Sequence, residues 1–258
     1  MSLLTIKNLS ISYKDTLILN DINLNLKKGE ILGIAGQSGS GKSTLLKSIL
    51  NLLPNDFEKI HGNILYDNQS LYDLSTKEII NWRSKHFGFI SQNANTAFCP
   101  VITIGKQILQ ILKAKQAINS NDTKKQLLEL FIRLGFDDAD KIFHSYPFEL
   151  SGGMNQRINI ALNLLTKTNI LLADEPTSAL DIHTQKIVLE ELSSLAKNCG
   201  ISIILVSHNL NTLKEIADNI AILYQGKIIE YASCENIFNK PQQAYTQQLI
   251  SAASLSTI

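Results

Sequence analysis

One stretch of eight residues constrains this chain more than any other: Gly36-Gln37-Ser38-Gly39-Ser40-Gly41-Lys42-Ser43 fits the pattern G-x-x-x-x-G-K-[ST]. A continuous apolar run, Ile31 to Ala35, precedes it, and a helical pattern from Lys42 to Leu53 follows, stopped at Pro54. Strand, glycine loop and helix in that order make a phosphate cradle. Glycines let the backbone wrap closely around an anion with its N–H groups turned inward, and the next helix presents its positive end. Lys42 is placed to hold the β and γ phosphates of a nucleotide, Ser43 to ligate Mg²⁺, and Thr44 continues the cradle. The bland reading, a Gly-Ser turn before an ordinary helix, does not account for the flanking pattern.

Elsewhere the chain divides into three stretches. The first thirty residues alternate at period two (Leu4 and Ile6; Leu9, Ile11 and Tyr13; Ile22, Leu24 and Leu26), which predicts a small antiparallel sheet. Ser75 to Glu78 has capping-box spacing and predicts a short helix through Trp82, then a strand Phe87 to Ser91. From Thr103 to about Phe148 the pattern predicts two or three amphipathic helices with no strand between them, one closed by Gly135. Alternation then resumes: helix Gly152 to Thr166, strand Ile170 to Asp174, helix Ile182 to Asn198 closed by Gly200, strand Ile201 to Ser207, helix Leu210 to Ala217. Such alternation implies a parallel sheet covered on both faces. A hairpin, Ile220 to Tyr224 and Lys227 to Tyr231, precedes a short helical tail.

Two further segments carry chemistry. Ile170 to Glu175 is an apolar strand ending in two acids, the form of a Walker B segment, with Asp174 placed to orient Mg²⁺ and Glu175 to polarise an attacking water. Its plain alternative is a buried strand whose acids cap the next turn. In Leu150-Ser151-Gly152-Gly153-Met154-Asn155-Gln156-Arg157, Ser151 starts a helix and the glycines leave backbone N–H groups bare at its positive end, making a second anion site. Read alone, the segment is equally a glycine-bearing N-cap of a core helix.

Composition narrows the partners. With 258 residues, 24 Lys+Arg against 23 Asp+Glu and a net charge of +1, the chain supports a full apolar core but no dominating basic surface, which disfavours nucleic acid. The three cysteines, Cys99, Cys199 and Cys234, show no C-x-x-C spacing, which fits a reducing cytosol. The five histidines show no metal-ligand spacing, so no histidine-built metal site is expected on this chain. No run approaches 18 apolar residues and no signal-peptide pattern follows Met1, so neither a membrane span nor export is expected.

Taken together and in this order, the motifs resemble those of the ATP-binding cassette (ABC) ATPases over essentially the whole chain. The resemblance implies an α/β fold: a P-loop core with a parallel sheet, an N-terminal antiparallel β subdomain and an inserted α-helical subdomain. It divides the single domain 1–258 into a nucleotide-binding core with the β subdomain (1–92 and 158–258) and a helical signature subdomain (93–157). It also implies roles: Tyr13 stacking on adenine, Gln92 as the Q-loop glutamine and a contact to Mg²⁺, Ser178-Ala179-Leu180-Asp181 as the D-loop, and His208 as the switch histidine near the γ-phosphate. Ser151, Gly152, Gly153 and Gln156 are then the signature that closes on a partner cassette's ATP. Glu175, His208, Gln92 and Lys42 form the catalytic set.

A narrower resemblance is to the oligopeptide, dipeptide and nickel importer branch. Gln92 to Pro100 followed by Thr103-Ile104-Gly105-Lys106-Gln107-Ile108, Ser145-Tyr146-Pro147 before the signature, and a tail with Ile237, Phe238, Pro241, Tyr245, Thr246 and Leu249 are similar to that branch. Ala94, Phe98, Cys99, Phe148, Asn155, Asn209, Gln243 and Ala244 depart from its usual residues without removing a catalytic group. The chain stops thirteen residues after Tyr245, as nickel-type subunits do. The branch implies an ATP-driven nickel or metal-complex importer, with a dipeptide or oligopeptide importer as alternative. Its partners are two transmembrane permeases, a second ATPase subunit (a heterodimer, or a homodimer) and indirectly an extracytoplasmic solute-binding protein, on the cytoplasmic face of the membrane. An ABC ATPase acting on DNA or ribosomes fits poorly with a single set of motifs and no heptads; a non-hydrolysing regulatory cassette fits poorly with Glu175 and His208 both present.

Overall fold

The computed structural model describes residues 2–94, 97–115 and 120–255. Asn95 and Thr96, part of the segment after Gln92, lie outside the described residues. Two sheets organise the chain. β1 (Ser2–Tyr13), β2 (Thr16–Lys27), β4 (Phe57–Tyr66) and β5 (Gln69–Ser70) form an antiparallel sheet in the order β2-β1-β4-β5. β3 (Ile31–Ala35), β6 (Phe87–Ile90), β7 (Ile170–Asp174), β8 (Ser202–Ser207), β9 (Asn219–Tyr224) and β10 (Lys227–Ser233) form the second, in the order β10-β9-β3-β8-β7-β6. β9 through β6 run parallel, and β10 closes the edge antiparallel to β9.

The unbroken apolar runs of the parallel strands follow from burial on both faces. Successive residues sort into two cores: Ile31, Leu171, Ala173, Ile203 and Leu205 pack on one side, while Leu32, Ile34, Leu172, Ile204 and Val206 pack on the other. The second core lies under the antiparallel sheet and α1 (Lys42–Ile49). The first takes α3 (Ile104–Lys115), α4 (Ser120–Arg133), α5 (Ala139–His144), α6 (Gly152–Leu165), α7 (Ile182–Cys199) and α8 (Leu210–Ile216). Each fully buried Leu or Ile contributes about 1.5–3 kcal/mol, so neither face is dispensable. α9 (Cys234–Asn239) and α10 (Ala244–Leu255) follow the β9–β10 hairpin, and α10 packs on α8.

Several sequence expectations are revised. α1 ends at Ile49 rather than Leu53, because Asn51 turns into the left-handed region (φ 51°) and Leu52 N–H folds back onto the Lys47 carbonyl. α2 (Thr76–His86) starts at the expected capping box but outlasts Trp82 by a turn: Trp82 packs edge-on against Tyr66, whose hydroxyl meets His86 Nδ1 at 3.1 Å. β4 carries no alternating signal, since Glu58, Lys59 and Ile60 are all exposed. Gly62 (φ 93°) lets it cross β1 where a Cβ would strike the Asn8 carbonyl. β9, expected as one arm of a hairpin, is also an inner strand of the parallel sheet beside β3.

Candidate functional site

β3 delivers the chain into the glycine loop, and the packing there explains which positions tolerate only glycine. A Cβ on Gly36 would collide with the Leu223 carbonyl of β9; one on Gly41 (φ 105°) would lie 2.8 Å from Leu19 of β2 and 3.2 Å from the Ile18 carbonyl. Gly39 (φ 79°) has nothing within 4 Å of such a Cβ and faces the cavity. The loop is therefore clamped at both ends and open in the middle. Ser40 Oγ is buried within the loop without a hydrogen-bond partner and would lie 2.9 Å from a Cβ on Gly36. Lys42 is buried, and its ammonium donates to the carbonyls of Gly36 and Gln37, both at 2.8 Å. Burial lowers its pKa, against the opposing pull of Glu175 and Asp174.

Ser43, on the first turn of α1, bonds the Asp174 carboxylate at the end of β7. Burial raises the pKa of Asp174; the Ser43 bond counters it, and the neighbouring Glu175 adds to it. A hydroxyl and a carboxylate side by side beneath a phosphate cradle are hard oxygen donors of the kind Mg²⁺ takes, so the residues fit that ion. The cavity over the loop measures about 640 Å³ and is lined by Tyr13, Ile18, Thr44, Phe57, Gln92 and Glu175 besides the loop itself. Its far wall is aromatic: Tyr13 and Phe57 sit with ring centroids 4.8 Å apart, opposite each other across β1 and β4. One end suits phosphates and the other a flat base. Phe57 was not among the expected residues, because nothing local marks it; only the register of β4 brings it to Tyr13.

Three loops converge on one carboxylate oxygen. Glu175 Oε2 accepts from Gln92 Nε2 at 3.1 Å and lies 3.0 Å from His208 Nδ1. Gln92 follows β6, Glu175 follows β7 and His208 follows β8, so all three stand at the C-terminal ends of neighbouring parallel strands. Glu175 adopts a left-handed backbone (φ 47°), with its N–H on the Val206 carbonyl of β8. That region is strained for a residue with a side chain, and the turn after β7 holds Glu175 in it. Ser207 Oγ accepts from Asn209 N–H at 3.0 Å and so fixes the turn that presents His208.

The second anion segment is built differently. Ser151 caps α6 by accepting from Met154 N–H at 3.2 Å, and Ser151 and Gly152 are exposed. Neither they nor Gly153 line the cavity over the phosphate loop. A Cβ on Gly153 would stand 3.2 Å from the Ala179 carbonyl, so the segment abuts the D-loop of its own chain. Gln156 does not belong to this exposed surface as expected. Its side chain turns inward on α6 and is buried (1%), where Nε2 donates to the Ser91 and Pro176 carbonyls at 3.3 and 3.0 Å and ties together the loops bearing Gln92 and Glu175. Arg157 donates to the Leu134 and Gly135 carbonyls at the end of α4 and so joins the helices. In the D-loop, Ser178 Oγ donates to the Glu175 carbonyl at 3.0 Å, and Asp181 caps α7 through Thr184, whose bonds hold its carboxyl below the usual range. Gln185, unforeseen from sequence, pins that loop by donating to the Thr177 and Leu180 carbonyls.

Exposed apolar groups collect near the same end. Val101 is 77% exposed and Phe148 71%, with Phe148 stacked on Tyr146 at 5.5 Å. Gln107 clamps the loop under Val101 through Cys99 and Ile102. No helix among the described residues is long and apolar enough to cross a membrane.

Comparison with known proteins agrees with this geometry. The ABC transporter family model matches residues 19–178. The metal-staphylopine import system ATP-binding protein CntD of Staphylococcus aureus is 38% identical over 97% of this chain and 93% of its own length. The oligopeptide transport ATP-binding protein OppD of Bacillus subtilis is also 38% identical, over 99% of this chain and 72% of its own. Among solved structures, the dimeric ATP-binding cassette MJ0796 in a post-hydrolysis state bound to ADP and Pi superposes with a TM-score of 0.80 at 30% identity, covering 90% of this chain and 98% of that one.

Proposed function

Because this chain belongs to the ABC transporter family of ATP-binding subunits, which bind ATP with Mg²⁺ and couple its hydrolysis to transport, we propose that it powers an importer for a metal complex, nickel among the metals. The observation that carries the catalytic part is the meeting of Gln92 and His208 on the Glu175 carboxylate, with Gln92 and Glu175 lining the same cavity as Lys42 and Ser43, which bonds Asp174. Lys42 and the loop N–H groups bind the phosphates, Tyr13 and Phe57 receive the base, and Ser43 and Asp174 hold Mg²⁺, which neutralises phosphate charge. Glu175 takes the proton of the attacking water. Gln92 and His208 orient its carboxylate and sense whether a γ-phosphate is present.

Since Ser151 and Gly152 are exposed and the segment through Gly153 is absent from its own chain's cavity, it serves a second cassette, packed head to tail. The helical stretch 93–157 carries both that signature and the apolar groups Val101, Tyr146 and Phe148, which suit a permease surface at the cytoplasmic face of the membrane. Two permeases and a second ATPase subunit complete the assembly, with a solute-binding protein outside. A peptide cargo is the second reading, favoured by equal identity to the oligopeptide protein OppD. Uptake of labelled nickel and of a labelled dipeptide, in a strain deleted for this gene and complemented with it, separates the two. Restoration of dipeptide uptake alone overturns the metal reading.

A further inference from the structure

The tail of the chain reaches the phosphate loop. Tyr245 in α10 accepts a hydrogen bond on its hydroxyl from Gln37 N–H at 3.0 Å, across 208 positions of sequence. The Gln37 carbonyl faces the other way, accepting the Lys42 ammonium at 2.8 Å and the Ser40 N–H at 3.3 Å. Gln37 is thus held on both sides, by the tail on its N–H and by two cradle residues on its carbonyl. An N–H given to the tail is not given to a phosphate; its work is to fix where the loop begins.

Tyr245 is itself firmly seated. Its ring packs on Tyr224 of β9 at 4.3 Å between centroids. Its neighbour Thr246 is fully buried and donates to Glu230 Oε2 at 2.6 Å. The same carboxylate accepts the backbone N–H groups of Gln242 and Gln243 at 2.8 and 3.1 Å, just before α10. A single β10 acid therefore satisfies donors that a helix start leaves open, and complements its positive end. At the other end of α10, Asn211 of α8 donates to the Ala253 carbonyl at 3.1 Å, so the tail bridges the phosphate loop and the helix that follows His208.

The geometry points to Tyr245 as a positioning residue of the ATP site, its hydroxyl anchoring the phosphate loop at Gln37; the inference rests on reading Gly36 to Thr44 as that site. A glycine-rich loop has many backbone states, and each hydrogen bond that selects the binding one reduces the entropy lost on binding. Tyr245 touches no phosphate and acts alike on bound substrate and transition state. Its loss therefore raises KM and leaves kcat unchanged.

The test uses the full-length chain and Tyr245→Phe, which keeps the ring on Tyr224 and removes only the hydroxyl. Titration with a fluorescent Mg-ATP analogue is expected to show about 3- to 10-fold weaker binding, the range one such bond supports. ATPase kinetics of the assembled transporter show a matching rise in KM at wild-type kcat. Tyr231→Phe removes a hydroxyl from the same hairpin and binds as wild type. Glu230→Gln loosens the seat without touching the hydroxyl and weakens binding about twofold. A Tyr245→Phe protein with a lower Tm but wild-type Kd overturns the inference, leaving Tyr245 a packing residue. Lys42→Ala, run in parallel, separates the levels. If it binds Mg-ATP as wild type does, the ATP site reading falls and the Tyr245 role with it; if it loses binding while Tyr245→Phe does not, only the Tyr245 role falls.

Discussion

The phosphate loop and the Ser151 segment are both glycine-bearing helix starts, yet they are built for opposite conditions. The first is clamped between β2 and β9 with Lys42 buried beneath it; the second begins with the exposed Ser151 and Gly152, and its Gly153 abuts the D-loop. A helix N-terminus supplies the same positive end in each case. What differs is how much of the remaining site the chain provides. Around the phosphate loop it provides an aromatic wall, a metal-binding pair and a held carboxylate. Around Ser151 it provides surface for something else to complete.

Substitutions can break this comparison from either side. The largest effect is expected of Glu175→Gln: hydrolysis falls by about 10²- to 10⁴-fold while Mg-ATP still binds, since the cradle is intact and the new amide oxygen still accepts from Gln92. Measured turnover within tenfold of wild type shows that Glu175 is not the base. Next comes a matched pair of glycines. Gly36→Ala drives a methyl into the Leu223 carbonyl and is expected to cost about 3 kcal/mol of stability together with ATP binding. Gly153→Ala meets the Ala179 carbonyl at 3.2 Å, costs about 1 kcal/mol, and leaves the isolated chain's Mg-ATP affinity unchanged. Thermal melts with and without Mg-ATP read both, and equal losses of affinity would erase the distinction between the two segments.

Smaller still on the chain's own binding is Ser151→Ala. Loss of the cap on Met154 N–H costs about 1 kcal/mol, Mg-ATP affinity holds, and ATP-dependent pairing of cassettes, read by light scattering, is lost. The last effect is absent at neutral pH. Burial lowers the Lys42 pKa, so its positive charge is complete well below that value and disappears as pH rises through it. Mg-ATP affinity should therefore decline on the alkaline side before an ordinary lysine, at 10.5, would titrate. An affinity that stays flat to that pH contradicts the assignment of Lys42 to the phosphates.

The sequence was most legible where chemistry is contiguous. Ile31 to Ser43 and Ile170 to Glu175 spell strand, loop and ligand in one run, because backbone geometry and apolar periodicity are local properties. Contacts made by register and by return of the chain are not written locally. Phe57 reaches the cavity only because β4 pairs with β1, and Tyr245 reaches Gln37 only because β10, α9 and α10 bring the tail back to the loop. Gln156 misleads for a related reason: adjacency to Ser151 to Gly153 suggests a shared surface, but three positions along α6 place it on the buried side. The ends of α1 and α2 shift because Asn51 and the Tyr66–His86 contact outweigh the nearest proline and the end of the apolar pattern.

The left-handed backbone at Glu175 has an evolutionary consequence. For an L-residue with a side chain that conformation is uphill by about 1–2 kcal/mol, and glycine alone escapes the penalty. Glu175→Gly would thus relax the turn after β7 and remove the carboxylate in one step. A library of this chain sorted for heat resistance would enrich that change and accumulate inert proteins, whereas one sorted for growth on the imported nutrient would purge it. Position 175 is where those two selections pull apart, and a paired enrichment experiment would register the conflict as opposite signs at a single codon.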